Sequence, residues 1–131
     1  MEDGMPNFDW VTARASCSVV QVFEKLRLEV QADIEIRNTL RGDNSEYQFR
    51  LVPDRTRFTV TIDRNSPDRR SITFQLTNKG IQVSDSGGKV FIDATLTLSD
   101  DGNCRVKING QERELWQMRR IALESLFFDT L

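Results

Sequence analysis

The side chains of this chain able to do chemistry are carboxylates, clustered arginines and two cysteines; there is no histidine. That absence removes imidazole-based triads and dyads, and with them the commonest zinc, copper and iron ligands. Either Cys17 or Cys104 as a nucleophile would need another base, and neither lies in a familiar local motif. Cys17 stands just before a helix cap and Cys104 in an alternating run, so buried free thiols are expected rather than a bridge. Paired carboxylates can still perform acid–base work. Asp33 falls within the apolar arc of a helix, where burial would raise its pKa; a solvated pair with Arg37 is the simpler expectation. Asp93 shares the outer face of a strand with Phe91, as a solvated cross-strand partner for a basic residue.

Three loops invite a binding reading. Gly87-Gly88-Lys89 has the flavour of a phosphate loop, but position 83 is Val and Val90 follows the lysine, so the required pattern fails. Asp100-Asp101-Gly102-Asn103 offers oxygen ligands without the spacing or distal Glu of a calcium loop, and reads as a hairpin turn. The loop Arg64-Asn-Ser-Pro-Asp-Arg-Arg70 gathers three arginines suited to phosphate or carboxylate, although solvated loop charges explain it as well. Arg113, Arg119 and Arg120 flank Trp116, a cation–aromatic arrangement that serves equally to keep a helix soluble. No cofactor or metal site is expected.

These residues sit on a chain of 131 residues, enough for one domain with a real core. Twenty acidic and 18 basic residues leave a net charge of −2, which weighs against nucleic acid as a partner because such partners select a concentrated basic surplus. The acidic start Met1-Glu2-Asp3-Gly4 lacks a leader's basic and apolar regions, and no apolar run is long enough to span a bilayer. Cytoplasmic residence with no membrane partner is the expectation.

From Tyr47 to Ile108, apolar and polar residues alternate in six short runs: Tyr47–Leu51, Phe58–Ile62, Ile72–Leu76, Ile81–Val83, Val90–Leu98 and Cys104–Ile108. Period two marks half-buried strands, and the short turns between them, the first read at Pro53-Asp-Arg-Thr56, force antiparallel neighbours. Residues 1–7 read as a disordered start and Phe8–Ala15 as a short strand. Residues 18–41 are ambiguous, since Leu26–Ile36 alternates. The Ser18 cap, the Gly42 stop and opposite charges at helical spacing (Glu24/Arg27, Lys25/Glu29, Asp33/Arg37) favour a helix. Its wheel places Val19, Val22, Phe23, Leu26, Val30 and Ile34 on one face. A closing helix is expected over 112–129. The whole is a single α+β domain: a curved antiparallel meander over 46–108, with both helices on one face.

This order of elements resembles the helix-grip arrangement of START-like lipid-binding proteins, a likeness of order with no shared motif. It implies a space between sheet and helices, filled as core or open as a pocket for a small apolar or amphipathic ligand. Phe58, Phe74, Ile92, Leu115 and Met118 would wall it. The leading functional expectation is different. Leu28 and Ile36 on the first helix, with Ile121 and Phe128 on the last, lie off the core faces and suggest an interface. The chain is thus expected to be a non-catalytic interaction module that meets another protein or itself, as a homodimer. A histidine-free carboxylate enzyme ranks last.

Overall fold

The computed structural model describes residues 7–42, 48–62 and 70–129. Within these the chain forms α1 (Trp10–Ser16), α2 (Val19–Arg41), strands β1 (Phe49–Asp54), β2 (Arg57–Ile62), β3 (Ser71–Leu76), β4 (Gly80–Asp85), β5 (Val90–Leu98), β6 (Cys104–Ile108) and β7 (Gln111–Arg113), then α3 (Leu115–Phe128). The seven strands pair in chain order as one antiparallel sheet. The fold is therefore the expected α+β meander, with one strand more than the alternation indicated. Among the described residues, no helix is long and apolar enough to cross a membrane. The start at residues 1–6, Tyr47, and Arg64 to Arg69 of the arginine loop lie outside the described residues.

Residues 18–41 are helical, and the caps explain why the alternating stretch does not become a strand. The Ser18 hydroxyl accepts from the Gln21 backbone N–H, and Gly42 at φ 85° closes the other end by donating to the carbonyls of Asn38 and Thr39. Glu24 and Arg27 form the expected ion pair. Val22, Phe23, Leu26, Val30 and Ile34 are buried against the sheet, each worth about 1.5–3 kcal/mol of transfer free energy. They meet the inner faces of the strands, where Phe49, Phe58, Val60, Phe74, Ile81, Val83, Ile92, Ala94 and Val106 complete the core with Met118, Ala122, Leu123, Leu126 and Phe127 of α3. The outer sheet face is polar; Thr59 and Thr73 join hydroxyls across β2 and β3 at 2.9 Å.

Four expectations are corrected. Phe8–Ala15 is not a strand: Asp9 caps α1 by accepting from the Thr12 N–H at 3.0 Å and its hydroxyl at 2.7 Å. Pro53 lies inside β1, where an edge strand tolerates its missing N–H, and the turn is Arg55-Thr56 with Arg55 at φ 48°. The closing helix begins at Leu115, because Asn109 (φ 53°) and Gly110 (φ 80°) form a tight hairpin turn that pairs Ile108 with Gln111 and creates β7. Finally, the cysteines are not free thiols. Cys17 and Cys104 are joined in a disulfide with Cα atoms 5.4 Å apart, because α2 begins over the strand that carries Cys104. Together with the Phe8 ring lying on Gly102, this bridge anchors α1, which buries no residue of its own.

Candidate functional site

The sequence candidates separate into two groups. Phe58, Phe74 and Met118 are wholly enclosed and Ile92 nearly so, while Leu115 is partly buried. Phe58 stacks on Phe74 with centroids 4.7 Å apart, and Phe23 of α2 lies 5.2 Å from Phe58. These residues form packed interior beneath the helices. Leu115 borders a recess of about 50 Å³ beside Val22, Leu96 and Cys104.

The second group is exposed. On α2 the row Leu28, Ala32, Ile36, Leu40 repeats every four residues, so it forms a ridge along the helix. On α3, Trp116, Ile121 and Phe128 also project away from the core. Exposure among the large residues of this set runs from 47 % for Ile121 to 71 % for Leu40. The two helices lie side by side in the same direction: Arg119 reaches Glu29 and Asp33, while Phe127 meets Arg37. Between them runs a groove of about 360 Å³, lined by Ile36, Arg37 and Leu40 on one side and Trp116, Arg120 and Phe128 on the other. Ile36 and Phe128 thus come together at this site; Leu28 and Ile121 are exposed elsewhere on the two helices.

The charges around the groove are arranged unevenly. Arg119 donates to Glu29 at 2.6 Å and to Asp33 at 2.7 Å, with its own side chain 19 % exposed. Asp33 is thus half-buried rather than solvated, and its partner is Arg119, eighty-six positions away, not the expected Arg37. Arg120 pairs with Glu124 at 3.3 Å. Arg37 has a different environment. Its Nε donates to the Phe127 carbonyl at 2.9 Å, and its guanidinium carbon stands 4.3 Å from the Phe128 ring centroid. Partial burial, and then the neighbouring Arg41 charge, push its pKa below the ordinary guanidinium value. Among the described residues no carboxylate pairs with it.

The remaining sequence candidates among the described residues are engaged by local partners. The N–H groups of Gly87 and Lys89 both donate to the Asp85 carboxylate, at 2.9 and 3.0 Å, so this loop satisfies itself. Asp101 likewise accepts from the Asn103 N–H and pairs with Arg105. Asp93 stands in register with Gln82 rather than with a basic residue. Arg113 donates to Gln111, so the three arginines near Trp116 are each engaged elsewhere. No group of three or more potential metal-ligating side chains occurs among the described residues.

Sequence reasoning missed Leu40, Trp116 and Arg37 as parts of one site. The four-residue row ending at Leu40 was a usable signal; the pairing of helices that makes the groove was not. No family model matches the chain, and no curated protein or solved structure shows significant similarity to it.

Proposed function

We propose that this protein is a non-catalytic interaction module, and that it self-associates through the outer face of α2 and α3. The observation that carries this reading is the concentration of Leu28, Ile36, Leu40, Trp116, Ile121 and Phe128 on one helical layer whose opposite face already fills the core. A helix pair needs only one apolar side to cover a sheet, so the second side asks for another occupant. The surface is also self-complementary in form, with a ridge on α2 beside a groove between α2 and α3. Under a two-fold axis, the ridge of each copy enters the groove of the other. The rim carries both signs of charge, which suits contact between identical surfaces.

The Cys17–Cys104 disulfide bears on where this happens. The cytoplasmic residence expected from the sequence is weighed against by the bridge, which supports an oxidising setting.

Sedimentation velocity over a concentration series tests the proposal. A dimer is expected at micromolar protein, with Leu28→Glu and Ile121→Glu shifting it to monomer while leaving circular dichroism unchanged. A monomer persisting at high micromolar concentration would remove self-association.

A further inference from the structure

We propose that the groove between α2 and α3 is a binding site for a small amphipathic monocarboxylate. Its apolar tail would lie along Ile36 towards Trp116, with its carboxylate on Arg37. This goes beyond self-association and does not require it; the ligand and the ridge of a second copy would exclude one another from the groove.

The volume of about 360 Å³ falls at the small end of the range for ligand pockets. Its walls are an aromatic and two aliphatic side chains, with the Phe128 ring at the Arg37 end. The electrostatics then select the head group. Of the charged residues lining the groove, Asp33 is matched by Arg119, and Arg120 by Glu124. Arg37 is left as the cation without a carboxylate among the described residues, half-buried between a carbonyl and an aromatic face.

A purely structural task for Arg37 is to serve the carbonyl of Phe127 at the end of α3, and its Nε does so. That leaves the two terminal nitrogens of a planar fork, which meet no acceptor among the described residues. The Phe128 ring and the Nε bond hold this fork in place before any ligand arrives, which reduces the ordering cost of binding. A carboxylate matches the fork bidentately; a neutral head group forgoes the charge, and a cationic one is repelled. The partly desolvated position strengthens the preference, because charge interactions weaken less there than in open water.

Trp116 is a built-in reporter. In a Trp10→Phe background, with Trp10 an exposed residue of α1, the remaining emission belongs to Trp116. The protein, at low micromolar concentration, is titrated with decanoate and separately with decanol, both below the point of self-aggregation. Saturable change with decanoate is expected, with binding about tenfold or more tighter than for decanol, the worth of a charge-assisted hydrogen bond. Arg37→Gln should bring the two probes to near equality, whereas Arg37→Lys, which keeps the charge but not the fork, should retain only part of the preference. Equal binding of decanoate and decanol by the parent protein, no saturable signal, or an unchanged ratio in Arg37→Gln would each overturn the proposal. Should Arg37→Gln lose its fold by circular dichroism, Arg37→Lys decides the matter, an undiminished preference there overturning the role of the fork. Sedimentation with and without decanoate separates the two readings: a monomer that binds decanoate leaves this proposal standing without self-association, a dimer that decanoate dissociates supports both, and a dimer that decanoate neither binds nor dissociates overturns it.

Discussion

The side-chain amide of Asn38 closes a two-bond ring on the backbone of Phe49. Asn38 Nδ2 donates to the Phe49 carbonyl at 3.0 Å, and the Phe49 N–H donates to Asn38 Oδ1 at 2.9 Å. Phe49 opens β1, an edge strand of the sheet, and an edge exposes backbone groups that would otherwise recruit another strand. The last turn of α2 thus caps the sheet edge at that point, beside the Phe49–Phe127 ring contact of 4.9 Å.

Asn38→Ala should therefore cost about 1–3 kcal/mol, because it strands two partly buried backbone groups rather than removing one surface bond. Urea unfolding of the variant measures this. Increased aggregation on storage is the expected companion effect, and an unchanged midpoint would show that water replaces the amide.

Removing the Cys17–Cys104 bridge should lower stability strongly. The loop it closes spans a sequence separation of 87, for which chain-entropy arguments give about 4–5 kcal/mol as an upper figure. Unfolding with and without a dithiol reductant, and of the Cys104→Ser variant, tests it. Loss of protection of the α1 amides in hydrogen exchange should come first, since α1 buries no residue of its own.

Gly80→Ala should be among the most damaging single changes in the sheet. A Cβ at this position would stand 1.8 Å from the Ala94 carbonyl oxygen on the neighbouring strand, and backbone cannot move aside as a flexible side chain does. The register Gly80↔Thr95 and Ile81↔Ala94 would have to shift, with a loss above about 2 kcal/mol. By contrast Gly87→Ala meets the Asp85 carboxylate at 3.4 Å, ordinary contact, and should change the midpoint little. Comparing the two thermal midpoints is the check.

Asp101 provides the pH prediction. Its hydrogen bond from Arg105, then that from the Asn103 N–H, lower its pKa from 3.8 to about 2. The depressed value means that its stabilising contribution is complete above its unfolded pKa, near 3.8, and is lost as pH falls towards about 2. An NMR titration of the Asp101 carboxyl should give a midpoint near the lower value, and Arg105→Gln should raise it. A midpoint near 3.8 in the parent protein would show that solvent screens the pair.

The alternation from Phe58 to Ile108 was sufficient to determine an antiparallel meander, because period two assigns every second side chain to one face and short turns permit no crossover. The caps Ser18 and Gly42 likewise determined α2 against the alternation of Leu26–Ile36, since local hydrogen bonds at helix ends act before any packing does. Asp9 and Asn109-Gly110 carried equally local signals for α1 and β7, and a reading attentive to caps and positive φ would have used them. The rest was decided in three dimensions. That Cys17 meets Cys104, that Arg119 takes Asp33 from Arg37, and that Ile36, Leu40, Trp116 and Phe128 flank one groove all depend on how α2 and α3 cross the sheet. Hydrophobic periodicity says which face of a helix is buried. It does not say where along a neighbouring helix that face comes to rest, and the close packing of side chains between the elements settles that position.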